Sequence, residues 1–166
     1  KSETFVEVAA ARGIGVDVSS LEELSAALAH GIRGPDIVVT GPDKGAALYV
    51  LAARQGATIT VDSPAELMTL EEVLNGIAVD VLLRHRPASE GNSRFGMSAE
   101  ELRWVIGRLR DQTHMSLTGF SAHLSGYNVM ARRDAGIELV RWCRTARECG
   151  LAPGVVDIGG GWPVQY

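Results

Sequence analysis

The chain has 166 residues, 46% of them hydrophobic and 22% charged, with a formal net charge of −4 at pH 7. That length and balance support one domain around one core and exclude a disordered chain. With no basic surplus, nucleic acid is excluded as a partner, and no apolar run is long enough to span a bilayer, so a small molecule is the expected partner.

Residues 1–4, Lys-Ser-Glu-Thr, lack a signal-peptide pattern, and a helix is expected over 4–12. A strand over 14–18 and a helix over 21–30 follow, then a strand over 37–40 and a helix over 44–54. The apolar run 46–53 is broken by Arg54 and reads as a core helix. Next come a strand over 58–61, a helix over 64–74 and a strand over 79–83. The polar, Gly/Ser-bearing segment 86–96 reads as a mobile loop or lid. A helix over 99–110, a strand over 117–122, a helix over 134–149 and a strand over 155–158 complete the chain. Ser20 with Glu23, Ser63 with Glu66 and Ser98 with Glu101 match the capping box, and Pro64 suits a first helical position. Cys143 and Cys149 form no metal-ligand spacing, and a reduced, cytoplasmic setting is expected.

The strands are nearly continuous in apolar residues, as buried parallel strands are, and their alternation with helices implies an α/β sheet with right-handed crossovers. A closed (β/α)₈ barrel needs eight units and about 250 residues. Six units are visible here and the chain opens on a helix, so a barrel would be incomplete, lacking one strand at each end. An open doubly wound sheet would need no missing pieces. The polar residues favour the barrel: Asp17, Ser19, Gly41, Asp62, Arg84, His123 and the Gly159-Gly160-Gly161 triplet fall at or just past strand C-terminal ends. In a barrel these ends converge on one site, whereas in an open sheet only those near a switch point do.

The triplet follows an apolar strand, so its bare backbone N–H groups can receive a phosphate. It is neither a G-x-G-x-x-G fingerprint nor a P-loop. His123 either stacks on a planar ligand, shuttles protons, or is a satisfied structural histidine. The loop Ser125-Gly126-Tyr127-Asn128 could add donors for an anion. Arg84 must find an acceptor, in a ligand or in an ion pair with Asp17 or Asp62. His85 and Arg86 are expected to point outward or into the following loop. A carboxylate such as Asp17 within an apolar strand is buried with a partner or faces a site. A cap role explains Glu23 without a ligand, and Asp62 needs no more than turn chemistry. Trp104, Trp142 and Met130 fit helix packing, without a function.

In chain order, Gly15-Val16-Asp17-Val18-Ser19-Ser20 with Glu23, Gly41-Pro42-Asp43-Lys44, Leu83-Arg84-His85-Arg86-Pro87, Ser93-Arg94-Phe95-Gly96-Met97, the stretch 119–123, and Asp157-Ile158-Gly159-Gly160-Gly161-Trp162-Pro163 span essentially the whole chain. These six motifs resemble those of the fold-type III pyridoxal-phosphate-dependent decarboxylases, the relatives of ornithine, diaminopimelate and arginine decarboxylase. The resemblance implies a TIM (β/α)₈ barrel of the alanine racemase-like type, truncated at both ends over residues 1–166, with a C-terminal β domain absent. It implies pyridoxal 5′-phosphate as cofactor, a cytoplasmic homodimer with shared active sites, and decarboxylation of a basic or diamino acid through an external aldimine, in lysine or polyamine biosynthesis. A racemase or a non-catalytic, regulatory pyridoxal-phosphate-binding homologue is the alternative on the same barrel.

The catalytic set implied by the resemblance is His123, Arg84, Asp17 and Glu23. His123 would stack on the cofactor ring, Gly159, Gly160 and Gly161 would hold its phosphate, and Asp17, Glu23 and Arg84 would form the polar shell around the Schiff-base lysine and the ring. Arg84 and Ser125 complete the implied cofactor-binding set. Relatives commonly carry histidine-x-glycine-serine where this chain has His123-Leu124-Ser125-Gly126, so the phosphate-contacting serine is Ser125 in exchanged order, or is absent. Family spacing puts the Schiff-base lysine shortly before Lys1, which is therefore not the catalytic candidate, and the fragment alone is expected to be inactive. The acidic partner of the pyridine nitrogen and the substrate-selecting cysteine–aspartate pair are expected beyond Tyr166.

Overall fold

The computed structural model describes residues 3–161, so Lys1, Trp162, Pro163 and Tyr166 lie outside the described residues. The elements run α1 (Glu3–Ala11), β1 (Val16–Val18), α2 (Leu21–Ala29), β2 (Ile37–Val39), α3 (Ala46–Gln55), β3 (Thr58–Val61) and α4 (Pro64–Leu74). They continue with β4 (Val79–Arg84), α5 (Ala99–Arg110), β5 (Met115–Ser121), α6 (Val129–Glu148) and β6 (Val155–Asp157). No helix among the described residues is long and apolar enough to cross a membrane.

Helix starts follow their capping chemistry, with two departures from the expected boxes. Ser20, Ser63 and Ser98 each accept the N–H three residues on, at 3.2, 3.1 and 3.3 Å. Only Ser98 and Glu101 close the box reciprocally, Glu101 Oε2 accepting the Ser98 N–H at 2.8 Å. Glu23 and Glu66 instead reach one residue further back, to the N–H groups of Ser19 (2.8 Å) and Asp62 (2.6 Å). The Ser98 N–H and hydroxyl hold the Glu101 carboxyl below the ordinary glutamate range. A depressed native value means that this stabilisation is present above the unfolded value and is lost as pH falls through the native one. Ser98→Ala should therefore cost about 1 kcal/mol in denaturant unfolding at neutral pH, with the difference from wild type shrinking in acid.

Helix α6 begins five residues before the expected start at 134, because the Asn128 side-chain oxygen Oδ1 caps it, accepting the Met130 and Ala131 N–H groups at 2.9 and 3.1 Å. The charged run Arg132-Arg133-Asp134 hides this first turn from an apolar-periodicity reading. Trp104 and Met130, expected to serve helix packing, lie 47% and 53% exposed, with Arg108 over the Trp104 ring.

All six strands are parallel, in the order β1-β2-β3-β4-β5-β6. A doubly wound sheet reverses strand order at a switch point, and no reversal occurs, which removes that alternative. Consecutive helices α1 to α5 pack side by side along the outer face. This is the wall of a barrel in six successive units. Alternation along each strand sends one set of side chains outward: Ile37, Val39, Ile59, Val61, Val81, Leu83 and Phe120 are buried towards Leu24, Leu67, Leu70, Leu102 and Leu139 of the helices. Each such side chain contributes about 1.5–3 kcal/mol. The other set faces the barrel interior, where Arg84, Ser121 and Asp157 are register partners in one row across β4, β5 and β6.

Candidate functional site

The interior row opens into a cavity of about 420 Å³ at the strand C-terminal ends. Each strand or the residue just after it contributes a polar side chain to its wall: Asp17 from β1, Thr40 just after β2, Thr60 from β3, Arg84 from β4, Ser121 from β5 and Asp157 from β6. His123, Gly41, Gly159 and Gly160 line it as well. The hydroxyls of Thr60 and Ser121 are buried without a hydrogen-bond partner among the described residues. A buried polar group left unpaired costs about 1–3 kcal/mol, so these two hydroxyls suit a polar ligand in the cavity.

Arg84 is held by Asp62, whose Oδ1 accepts its Nη1–H at 2.8 Å. Asp62 is therefore more than a turn residue: its Oδ2 also accepts the Gly96 N–H at 3.2 Å, tying the segment after β4 to the end of β3. The Arg84 guanidinium lies over the Phe95 ring, 5.2 Å from its centroid. Beneath this pair, Lys44 Nζ donates to the Gly41 carbonyl and to Glu66 Oε1. Tyr49 donates its hydroxyl to Glu66 Oε1 at 2.8 Å. Burial, with the Glu66 charge adding to it, pushes the Tyr49 phenol well above its ordinary range, so it stays a proton donor.

Asp17 is exposed on β1 and faces the cavity, the site-facing alternative of the two expected. Glu23 is not brought to the same place. It lines a separate cavity of about 300 Å³ with Val6, Val16, Val18 and Ala26. Its carboxylate accepts the Ser19 N–H and hydroxyl at 2.8 and 3.1 Å. His85 points outward, the first of the two expected directions, but is covered there rather than exposed. It is buried against α6, where Nε2 donates to Glu138 Oε2 at 2.8 Å and the ring meets Trp142 edge-on. Arg86 does enter the loop, donating to the Ser93 carbonyl at 3.1 Å.

The glycine turn differs in detail from a row of three bare donors. The Gly159 N–H is already committed, donating to Asp157 Oδ1 at 2.8 Å. Gly159 has φ +68°, and a Cβ there would stand 3.0 Å from the Ala122 carbonyl oxygen and 3.1 Å from His123 Nδ1, so only glycine lets this turn lie against His123. Ser125 is likewise engaged: its N–H and hydroxyl donate to the two carboxylate oxygens of Glu90 at 3.0 and 2.6 Å. That contact closes one side of a larger space of about 830 Å³, lined by Arg84, Arg94, Phe95 and His123 on the 86–96 side of the barrel mouth.

Thr60, Ser121, Asp157 and the buried arginine Arg132 escaped the sequence reading. The first three carry a usable signal, a polar residue at an inward position of an otherwise apolar strand. Arg132 carries none, being one basic residue in a charged helix.

A family model described as the pyridoxal binding domain of pyridoxal-dependent decarboxylases matches residues 1–166. An uncharacterised protein of Sinorhizobium fredii is 39% identical over 171 aligned positions, covering 100% of this chain and 37% of that protein. A diaminopimelate decarboxylase of Deinococcus radiodurans is 32% identical over 94% of this chain and 42% of its own length. Among solved structures, diaminopimelate decarboxylase from Helicobacter pylori complexed with L-lysine superposes with a TM-score of 0.89 at 20% identity, over 96% of this chain and 44% of that one. Ornithine decarboxylase from Entamoeba histolytica superposes with a TM-score of 0.82 at 23% identity, over 96% and 45%. The chain thus spans about two fifths of the length of the curated relatives it matches. The likeness to these solved structures is one of fold, a β/α barrel of which this chain matches less than half of each.

Proposed function

From the premise that the chain belongs to the pyridoxal-dependent decarboxylases, as their pyridoxal-binding domain with pyridoxal 5′-phosphate as cofactor, we propose that the barrel cavity seats this cofactor in an enzyme that decarboxylates a basic or diamino acid. The observation that carries the proposal is the ring of polar side chains, one from each strand or the residue just after it, with two buried hydroxyls awaiting partners. The diaminopimelate decarboxylase from Deinococcus radiodurans and the L-lysine complex of the Helicobacter pylori enzyme support the substrate class.

The residues fit the group. A cavity of about 420 Å³ with one histidine at a glycine turn suits a planar ring bearing a phosphate. When bound, the cofactor draws electrons from the substrate's α-carbon, so that the carboxylate leaves as carbon dioxide. His123 would stack on the ring, and the N–H groups of Gly160 and Gly161 would take the phosphate, since that of Gly159 is spent on Asp157. Arg84, oriented by Asp62, supplies fixed positive charge at the wall, and Asp17 faces it from β1. Ser125 joins the phosphate ligands only in exchange for Glu90, which holds both of its donors. Glu23, on the other cavity, positions Ser19 and the turn after β1. A homodimer with shared sites, in the cytoplasm, completes the reading.

In the whole protein, added cofactor should produce a visible-range absorbance band, and carbon dioxide should be released from a diamino acid; no band would sink the proposal. His123→Ala should weaken cofactor binding by up to about tenfold, the value of a ring-on-ring contact. Unchanged affinity and turnover would remove His123 from the site.

A further inference from the structure

Arg132 is the largest fully buried side chain among the described residues, 1% exposed. Its guanidinium reaches from the first turn of α6 into the two loops that carry the proposed phosphate donors. Nε and Nη2 both donate to the Gly160 carbonyl, at 3.2 and 2.8 Å, and Nη2 also donates to the Gly126 carbonyl at 2.8 Å. Nη1 approaches the Asn128 carbonyl at 3.5 Å. One side chain thus staples the turn after β6 to the loop that follows His123. Burying a guanidinium is costly, and this one is satisfied through carbonyls of the turn it organises.

The grip has a directional consequence. A trans peptide is planar, with its C=O and N–H pointing opposite ways, so fixing the Gly160 carbonyl on Arg132 turns the Gly161 N–H away from the guanidinium. With the Gly159 N–H spent on Asp157, the Gly161 N–H is one of two donors that the triplet can still offer. The glycine itself is shaped for this arrangement: Gly161 has φ +80°, and a Cβ there would stand 2.6 Å from Arg132 Nη2. Sequence and geometry therefore match on both sides of the contact, a side chain that needs a bare residue and a bare residue at that place.

We propose that Arg132 is the positioning residue of the phosphate seat: without touching the phosphate, it sets the Gly160–Gly161 peptide so that the Gly161 N–H faces the anion, and holds the Gly126 loop beside it. This rests on the cofactor reading above and adds to it a residue and a mechanism. A lysine keeps the charge but not the planar fork that grips a carbonyl bidentately while reaching a second one.

The test uses the whole protein and two ligands, pyridoxal phosphate and pyridoxal, titrated by absorbance and fluorescence, with thermal unfolding followed in parallel. Wild type should prefer the phosphorylated ligand. Arg132→Met and Arg132→Lys should both weaken pyridoxal phosphate by about tenfold or more, the value of a charge-assisted hydrogen-bond set, while pyridoxal stays within about twofold. Gly161→Ala, whose Cβ would meet the guanidinium, should also lose pyridoxal phosphate selectively, and Arg132→Lys carries the test if Arg132→Met does not fold. Equal loss for both ligands would make Arg132 a structural residue only and overturn the proposal, as would full recovery of affinity in Arg132→Lys, which would assign the effect to charge. A wild type that binds neither ligand would instead overturn the cofactor reading, and this inference with it.

Discussion

Replacing Glu66 by alanine should lower stability by about 3–5 kcal/mol, the cost of stranding a buried charge. The Lys44 side chain is 0% exposed and that of Glu66 5%, and their N···O distance is 2.6 Å. The carboxylate also accepts the Tyr49 hydroxyl and the Asp62 N–H, so its removal leaves a buried ammonium without its counter-charge and a buried phenol and a main-chain donor unpaired at once. The measurement is the denaturant midpoint of the whole protein with its slope monitored, because a changed slope would signal lost cooperativity rather than lost stability. Glu66→Gln should cost less, since it keeps the volume and an acceptor. The double variant Lys44→Met with Glu66→Leu should recover much of the loss, because an apolar pair of similar volume removes the stranded charge. A loss below about 1 kcal/mol in Glu66→Ala would mean that the pair is solvated and would sink the argument. Lys44 also grips the Gly41 carbonyl at the cavity wall, so cofactor affinity should fall with stability.

Asp62→Ala should be the second most damaging change, costing about 3 kcal/mol at the lower end of the range for a broken buried pair. The Arg84 side chain is 15% exposed and that of Asp62 7%, so some water reaches the arginine when its partner is lost. Two effects follow from one substitution. Arg84 loses the oxygen that orients it, and the Gly96 N–H loses its acceptor, freeing the segment after β4 from the end of β3. Cofactor titration should therefore show weaker binding in Asp62→Ala, and Asp62→Asn, which keeps acceptor and shape but loses the charge, should fall between alanine and wild type. If cofactor affinity is unchanged in Asp62→Ala, Arg84 is not part of the cofactor's surroundings. Because the Asp62 N–H donates to Glu66, the losses in Asp62→Ala and Glu66→Ala should not add, and their double variant measures the coupling.

Both predictions concern residues for which local pattern and tertiary role diverge. Ser63 and Glu66 sit at capping-box spacing, and Ser63 does cap α4, yet the Glu66 carboxylate is drawn away by Lys44, Tyr49 and the Asp62 N–H. Ser98 and Glu101 have the same spacing without such partners, and there the box closes. Spacing states what a side chain can reach along its own helix; which of the reachable partners it takes is settled by what the rest of the chain packs against it. His85 makes the same point: its place after an apolar strand leaves it outward or in the loop, and strand register sends it to the outer face, where Glu138 and Trp142 of α6 cover it.

The order of strands and helices, the helix starts at Leu21, Pro64 and Ala99, and a line of polar residues at strand ends are legible in the residues alone, because apolar periodicity, caps and glycine turns act over a few neighbouring residues. Which polar residues meet depends on the folded barrel. It joined Arg84 to Asp62 rather than Asp17, put Glu23 on a different cavity, committed Ser125 to Glu90, and brought Arg132 under the glycine turn. These partners lie on different β/α units or loops. Their encounters depend on strand register and helix rotation, set by packing of the whole barrel wall, and no local spacing encodes them.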